Sequence, residues 1–261
     1  MAAANFARAL SVTLRHEGGW ADHPADPGGA TMKGVTLATF RRYVPGASKS
    51  DLRAISNTLL QRIYRDGYWS VVEGDRLPSG VDLAVFDAGV NSGPSRGARW
   101  LQATVGASQD GEVGNLTLAA TRVKNPVTVV KGVCDRRLGF VQSLSTWSVF
   151  GKGWGRRIGE IKATGMAWAG ASANDIRDDA DVTDKQAAND SKAGKGTGAA
   201  GAGAGGAPIA ADFDWASLIA FGVVAAVLVG IAIVLIARSR RRKEAAAEQR
   251  RIAAKLEAGE V

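Results

Sequence analysis

A run of 23 residues, 215–237, carries no charged side chain, and no other feature of the 261-residue chain limits its folding as strongly. As a helix rising 1.5 Å per residue it reaches about 34 Å, enough for a hydrocarbon core of about 30 Å. The run predicts a single transmembrane helix, with Trp215 where an interfacial aromatic belongs. Arg238, Arg240, Arg241, Arg242 and Lys243 follow it, and Asp212 and Asp214 precede it. The positive-inside rule then places the basic tail, 238–261, in the cytoplasm. Residues 1–214 fall on the periplasmic or wall side of the inner membrane.

The run also divides the chain by composition. Residues 171–214 are rich in Ala, Gly, Asp and Lys and poor in large apolar side chains. The stretch 196–208 has the composition of a flexible linker. Residues up to about 170 mix Trp, Leu, Val and Arg, enough for one compact domain or two small units sharing a core. Of the net charge of +8, the first 170 residues carry +8, residues 171–214 carry −4, and the rest +4. A basic globular part suits a polyanion, either nucleic acid or an anionic cell wall. The chain has no helix-turn-helix, zinc-ligand or RNA-binding signature, so nucleic acid is not the expected partner. The lone Cys134 sits in an apolar helical pattern and reads as core. His16 and His23 lie seven apart, which is no metal-ligand spacing, and neither a metal nor a cofactor is expected. No signal-peptide pattern opens the chain, because Asn5, Arg8 and Ser11 interrupt its first apolar residues.

Apolar periodicity predicts a mainly α fold. Helices are expected over 6–16, capped by Asn5, over 37–43, capped by Thr36, and after Ser56. Further helices are expected over 81–90, after Pro94, after Asn115, from Pro126 towards Leu144, and over 156–168. A short β-hairpin fits near residues 28–35.

The first helix leads into His16-Glu17-Gly18-Gly19-Trp20. Glycines end a helix and leave room for a bulky substrate beside a carboxyl. A general acid must be protonated near neutrality, which a neighbouring aromatic ring favours by excluding water. The bland alternative is a surface Glu beside a turn. The Gly/Pro-rich loop that follows carries Asp26 and Thr31, and such loops often position catalytic groups. Glycoside cleavage needs a proton donor and an opposing charge or positioned water. Glu17, Asp26 and the Thr31 hydroxyl could supply these, although Asp26-Pro27-Gly28-Gly29 also reads as a turn with a structural Asp.

Glu17-Gly18-Gly19-Trp20, then Asp26-Pro27-Gly28-Gly29-Ala30-Thr31, then Gly34-Val35-Thr36 resembles the signature of glycoside hydrolase family 108, muramidases of phages and their bacterial relatives. The likeness extends to Tyr64-Arg65-Asp66-Gly67-Tyr68-Trp69 and to the block from Phe86 through Gly93, and it covers roughly residues 6–170. It implies a lysozyme-like helical domain, Glu17 as the essential catalytic residue, and peptidoglycan glycan strands as substrate. Cleavage would fall on the β-1,4 bond between N-acetylmuramic acid and N-acetylglucosamine, as in a phage or prophage endolysin. A fainter likeness to phage-type lysozymes matches the nine-residue step from Glu17 to Asp26. Thr31 comes five residues later instead of six.

Trp20 and Trp69 are candidates to stack on sugars, with core packing as the alternative for Trp69. Asp87 and Asn91, four apart on one helix face, could line the cleft or form a buried hydrogen-bonded pair. Trp100-Leu101-Gln102 with Asp110-Gly111-Glu112-Val113-Gly114-Asn115-Leu116-Thr117 resembles the repeat of peptidoglycan-binding modules. The expected order is a catalytic region 6–92, a wall-binding-like region 93–170, a flexible linker 171–214, the span 215–237 and the tail. The competing function is a non-catalytic wall-binding or secretion-associated membrane protein on the same scaffold. A membrane-anchored nucleic-acid binder is suggested only by charge.

Overall fold

A computed structural model describes residues 5–22, 29–203 and 215–261, without the side chains of 198–203 and 215–225. The chain forms two compact units, Met1–Arg137 with Thr164–Ala171, and Leu138–Ala163 with Ser172–Val261. The fold is mainly helical with one small sheet.

In the first unit, α1 (Asn5–Leu14) leads into a three-stranded antiparallel sheet, β1 (Trp20–Ala21), β2 (Thr31–Met32) and β3 (Val35–Thr36). The hairpin expected near residues 28–35 is therefore present, extended by one strand. Helices α2 (Leu37–Tyr43), α3 (Lys49–Arg53) and α4 (Asn57–Tyr64) follow. Thr36 caps α2 and Ser56 caps α4 through their hydroxyls, as their positions predict. A capping box between Ser48 and Asp51 starts α3, a helix the apolar pattern is too short to reveal. Asn5 departs from its expected capping role. Its amide instead donates to the buried carboxylate of Asp82 at 2.6 Å.

The chain then runs through α5 (Val81–Ser92), α6 (Pro94–Val105), α7 (Asn115–Arg122) and α8 (Pro126–Ser143). Nine consecutive residues of α5, from Val81 to Gly89, are buried. A helix buried all round belongs at the centre of a core, and its two carboxylates, Asp82 and Asp87, are paired there. Gly97 of α6 lets the two backbones meet: a Cβ there would lie 3.0 Å from the Val85 carbonyl. Phe6, Trp69 and Phe86 form a triangle of edge-to-face rings, with centroids 5.4 to 6.1 Å apart. Cys134 is buried in α8.

The second unit contains α9 from its start (Trp147–Trp168 in full), with α10 (Ala173–Gly203) and α11 (Trp215–Glu257). Here the structure departs from two expectations. Residues 204–214 of the expected linker 171–214 lie outside the described residues, and residues 173–203 form a continuous helix. Its buried positions Ile176, Ala180, Thr183, Ala187 and Gly194 recur at alternating steps of four and three, or sums of them. Ala232, Ser239, Ala246 and Ala253 answer them at steps of seven along α11. That is a coiled-coil seam built from small residues, which allows close antiparallel pairing. Arg242 with Asp190, and Arg250 with Asp181 and Asp184, lace its rim. Inside it, the Lys162 ammonium and the Gln249 amide share the Asp179 carboxylate at 2.6 and 2.7 Å.

The second departure concerns the membrane. Residues 215–237 open a 43-residue helix that continues without a break into the Arg, Lys and Glu-rich tail. Along its described part it pairs with the charged helix α10, and Gly194 abuts the Ala232 carbonyl and the Leu235 side chain. Among the described residues, no helix is long and apolar enough to cross a membrane. The single-pass placement in the inner membrane, wall-side domain outside and tail inside, is overturned.

Candidate active site

Glu17 lies just past α1, not within it. The helix ends at Leu14, and the next three amides bond three residues back, the last from Glu17 to the Leu14 carbonyl at 3.2 Å. This tightened turn carries the half-buried Glu17 side chain to the start of β1. Among the described residues, a Cβ at Gly18 or Gly19 would meet nothing within 4 Å, so they leave the backbone next to Glu17 uncovered.

The opposite side of Glu17 is tightly built. Lys33 and Gly34 form the two-residue tip of the β2–β3 hairpin, both with positive φ, 48° and 77°. That is the primed turn whose twist suits an antiparallel pair. A Cβ at Gly34 would fall 2.8 Å from Oε2 of Glu17, and inside 3.0 Å of the Tyr64 hydroxyl. Only glycine lets the turn approach both groups. The Tyr64 hydroxyl in turn donates to the Lys33 carbonyl at 2.8 Å.

Tyr64 ends α4, and the chain continues into a π-helical turn, Arg65–Trp69, in which the Ser70 amide bonds the Arg65 carbonyl five residues back at 2.8 Å. Such wide turns occur often at functional sites. Here the turn brings the Tyr68 ring to 5.6 Å from that of Tyr64. Burial holds the Tyr68 phenol above its ordinary range, the Glu17 charge adds to this, and Arg42 opposes it. Tyr68 therefore lies within the field of the Glu17 carboxyl.

The other expected site residues fall in different places. Trp20 is half-exposed on β1, and its register with Met32 and Val35 puts these three on one sheet face. The Arg53 guanidinium lies 5.6 Å from its ring centre. Thr31 lies opposite Ala21 and Thr36 on the other face, its hydroxyl donating to the Gly29 carbonyl at 3.1 Å. Asp26 lies outside the described residues.

Trp69 does not fit a sugar-stacking role. It is 0% exposed, locked between Phe6 and Phe86, and its indole N–H donates to Asp75 at 2.8 Å. Asp87 is likewise withdrawn from any cleft, fully buried in an ion pair with Arg137. Asn91, one turn further along α5, is exposed. Their four-residue spacing is real, but α5 emerges from the core between them.

The residues resembling a wall-binding repeat form a clamp on their own loop. The buried Gln102 amide donates to Asp110 at 2.6 Å, the Glu112 carbonyl at 2.9 Å and the Thr117 hydroxyl at 3.2 Å. Its carbonyl accepts from the Gly111 amide at 3.0 Å. The Gln102 bond holds the Asp110 carboxyl below its ordinary range, with help from the Glu112 amide.

Sequence reasoning did not single out Gly34, Tyr64 or Tyr68 as the setting of Glu17. The Lys-Gly dipeptide between apolar strands was the available signal for the turn. The two tyrosines, at helical spacing, looked like core.

A helical fold with a small sheet, and a half-buried carboxyl just before its first strand, is an arrangement that a glycoside hydrolase can use. Residues 10–93 match the family model of Glycosyl hydrolase 108. The chain is similar to a solved structure, described as that of Brucella abortus SagA, at 42% identity and a TM-score of 0.60, covering 66% of this chain and 99% of that one. No curated protein matches it. The chain belongs to the glycosyl hydrolase 108 family, which implies peptidoglycan as its substrate.

Proposed function

We propose that the protein is a muramidase that hydrolyses the β-1,4 bond between N-acetylmuramic acid and N-acetylglucosamine, with Glu17 as general acid. What carries this reading is the two-sided setting of Glu17. Among the described residues nothing covers Gly18 and Gly19, where a bulky glycan needs room, and the Gly34 turn backs Glu17 on the other side. A proton donor to a glycosidic oxygen needs a fixed carboxyl with access on one side. The positive charge of the first 170 residues favours approach to an anionic wall. Trp20, half-exposed on β1, is the candidate to stack on a sugar, with Asn91 a further contact. Asp26 and the Thr31 hydroxyl are the candidates to hold charge or water on the opposite face of the sugar. The phage or prophage endolysin role belongs with this reading and rests on the sequence resemblance alone.

The test is Glu17→Gln, which keeps the shape of the side chain and removes its acid. The full-length variant should melt with the parent and fail to clear a suspension of purified walls. Clearing at the parental rate would end the assignment.

A further inference from the structure

The sequence places Lys33-Gly34 and Tyr64 thirty residues apart, and folding brings both against the one carboxyl that the proposed reaction uses. Gly34 approaches Oε2 of Glu17 too closely to carry any side chain. What keeps the turn there is local. The Tyr64 ring is buried at the end of α4, between the rings of Tyr68 at 5.6 Å and Phe86 at 6.4 Å. Its hydroxyl holds the carbonyl of Lys33, the residue that shares the turn with Gly34. A two-residue turn has little freedom beyond its anchoring, so fixing that carbonyl fixes the Gly34 backbone.

We infer that Tyr64 is a positioning residue for Glu17: by tying the Lys33 carbonyl, it holds the Gly34 turn as a rigid stop behind the carboxyl. This rests on the reading of Glu17 as the acid. Tyr64 acts through the turn in this scheme. It fixes where the proton donor sits, and a displacement of about 1 Å at such a group costs roughly a hundredfold in rate. The wide turn after Tyr64 packs the Tyr68 ring against that of Tyr64, within the field of Glu17.

The experiment compares the full-length parent, Tyr64→Phe, Gly34→Ala and Glu17→Gln on purified wall sacculi. It reads initial rates against substrate concentration, the pH profile of the rate, and thermal melting. Tyr64→Phe keeps the ring and removes the hydroxyl that ties Lys33. It should lower kcat roughly ten- to hundredfold with KM little changed, displace the basic limb of the pH profile, and leave most of the protein folded. Gly34→Ala, whose methyl would press on Oε2 of Glu17, should lower kcat at least as far. A Tyr64→Phe rate and profile that superimpose on the parent's would overturn the inference. So would a rate that falls only in proportion to the folded fraction, with the profile unmoved, because that is the mark of a structural role. Glu17→Gln separates the two claims: full activity in that variant overturns the reading beneath, whereas an inactive Glu17→Gln beside a fully active Tyr64→Phe overturns the positioning role alone.

Discussion

The carboxylate of Asp87 meets the guanidinium of Arg137 at 2.6 Å, with 0% and 1% of the two side chains exposed. The pair joins the central helix α5 to α8 inside the first unit. An ion pair so deeply buried is costly to break, because the remaining charge has no water to replace its partner. Asp87→Ala should therefore destabilise the protein by about 3–5 kcal/mol. Replacing both residues with apolar ones of similar volume should cost less than the single change. Urea unfolding of the two variants checks the order.

Gln102 ties α6 to the loop that follows it and to Thr117 of α7. Its amide has two hydrogens for three acceptors, so with the bond its carbonyl accepts it makes three full bonds; at a net of about 1 kcal/mol each, Gln102→Leu should cost on the order of 3 kcal/mol. The loss should be local first. Hydrogen exchange at the Gly111 amide should accelerate before that of α5. If wall binding is lost while exchange is unchanged, the residue contacts the ligand instead of the loop.

Trp20 and Trp69 should behave as opposites. Trp69 has no exposed surface, and Trp69→Ala should destabilise by about 3–5 kcal/mol. Trp20 is half-exposed, and Trp20→Ala should cost under about 1 kcal/mol while raising KM on sacculi. Melting curves and saturation kinetics on the same preparations separate the two effects.

Asp82 gives the stability a defined pH dependence. Burial pushes its carboxyl above the ordinary range, against the bonds from Asn5 and from the Leu83 and Gly80 amides and the nearby charge of Arg8. The folded state therefore holds the Asp82 proton more tightly than the unfolded chain does. The resulting stabilisation is fully present below the unfolded value of about 3.9, and is lost as pH rises through the higher folded value. The stability of the parent relative to Asp82→Asn should thus grow as pH falls. A difference that stays flat, or shrinks towards acid pH, would contradict this.

The helices of the first unit were legible because their signals are local. Thr36, Ser56, Pro94 and Asn125 sit at helix starts, and their oxygens or rings act within three residues. Glu17 stood out as a candidate because its motif is contiguous. The wall behind it was not legible, since Tyr64 meets Lys33 across 31 positions. For Asp87 the choice between cleft and buried pair turned on Arg137, 50 positions away. The second unit was misread differently. Composition made residues 171–214 look like a linker, although within 173–203 the seven-residue spacing of small side chains was there to be counted. The uncharged run at 215–237 was read alone, without the helix that pairs with its continuation.

The most direct measurement is mass spectrometry of soluble fragments released from purified sacculi by the parent and by Glu17→Gln. Hydrolysis by a muramidase leaves N-acetylmuramic acid at the new reducing end, and the account predicts those fragments from the parent and none from the variant. Fragments ending in N-acetylglucosamine or in an anhydro sugar, or an equal yield from the variant, would contradict it.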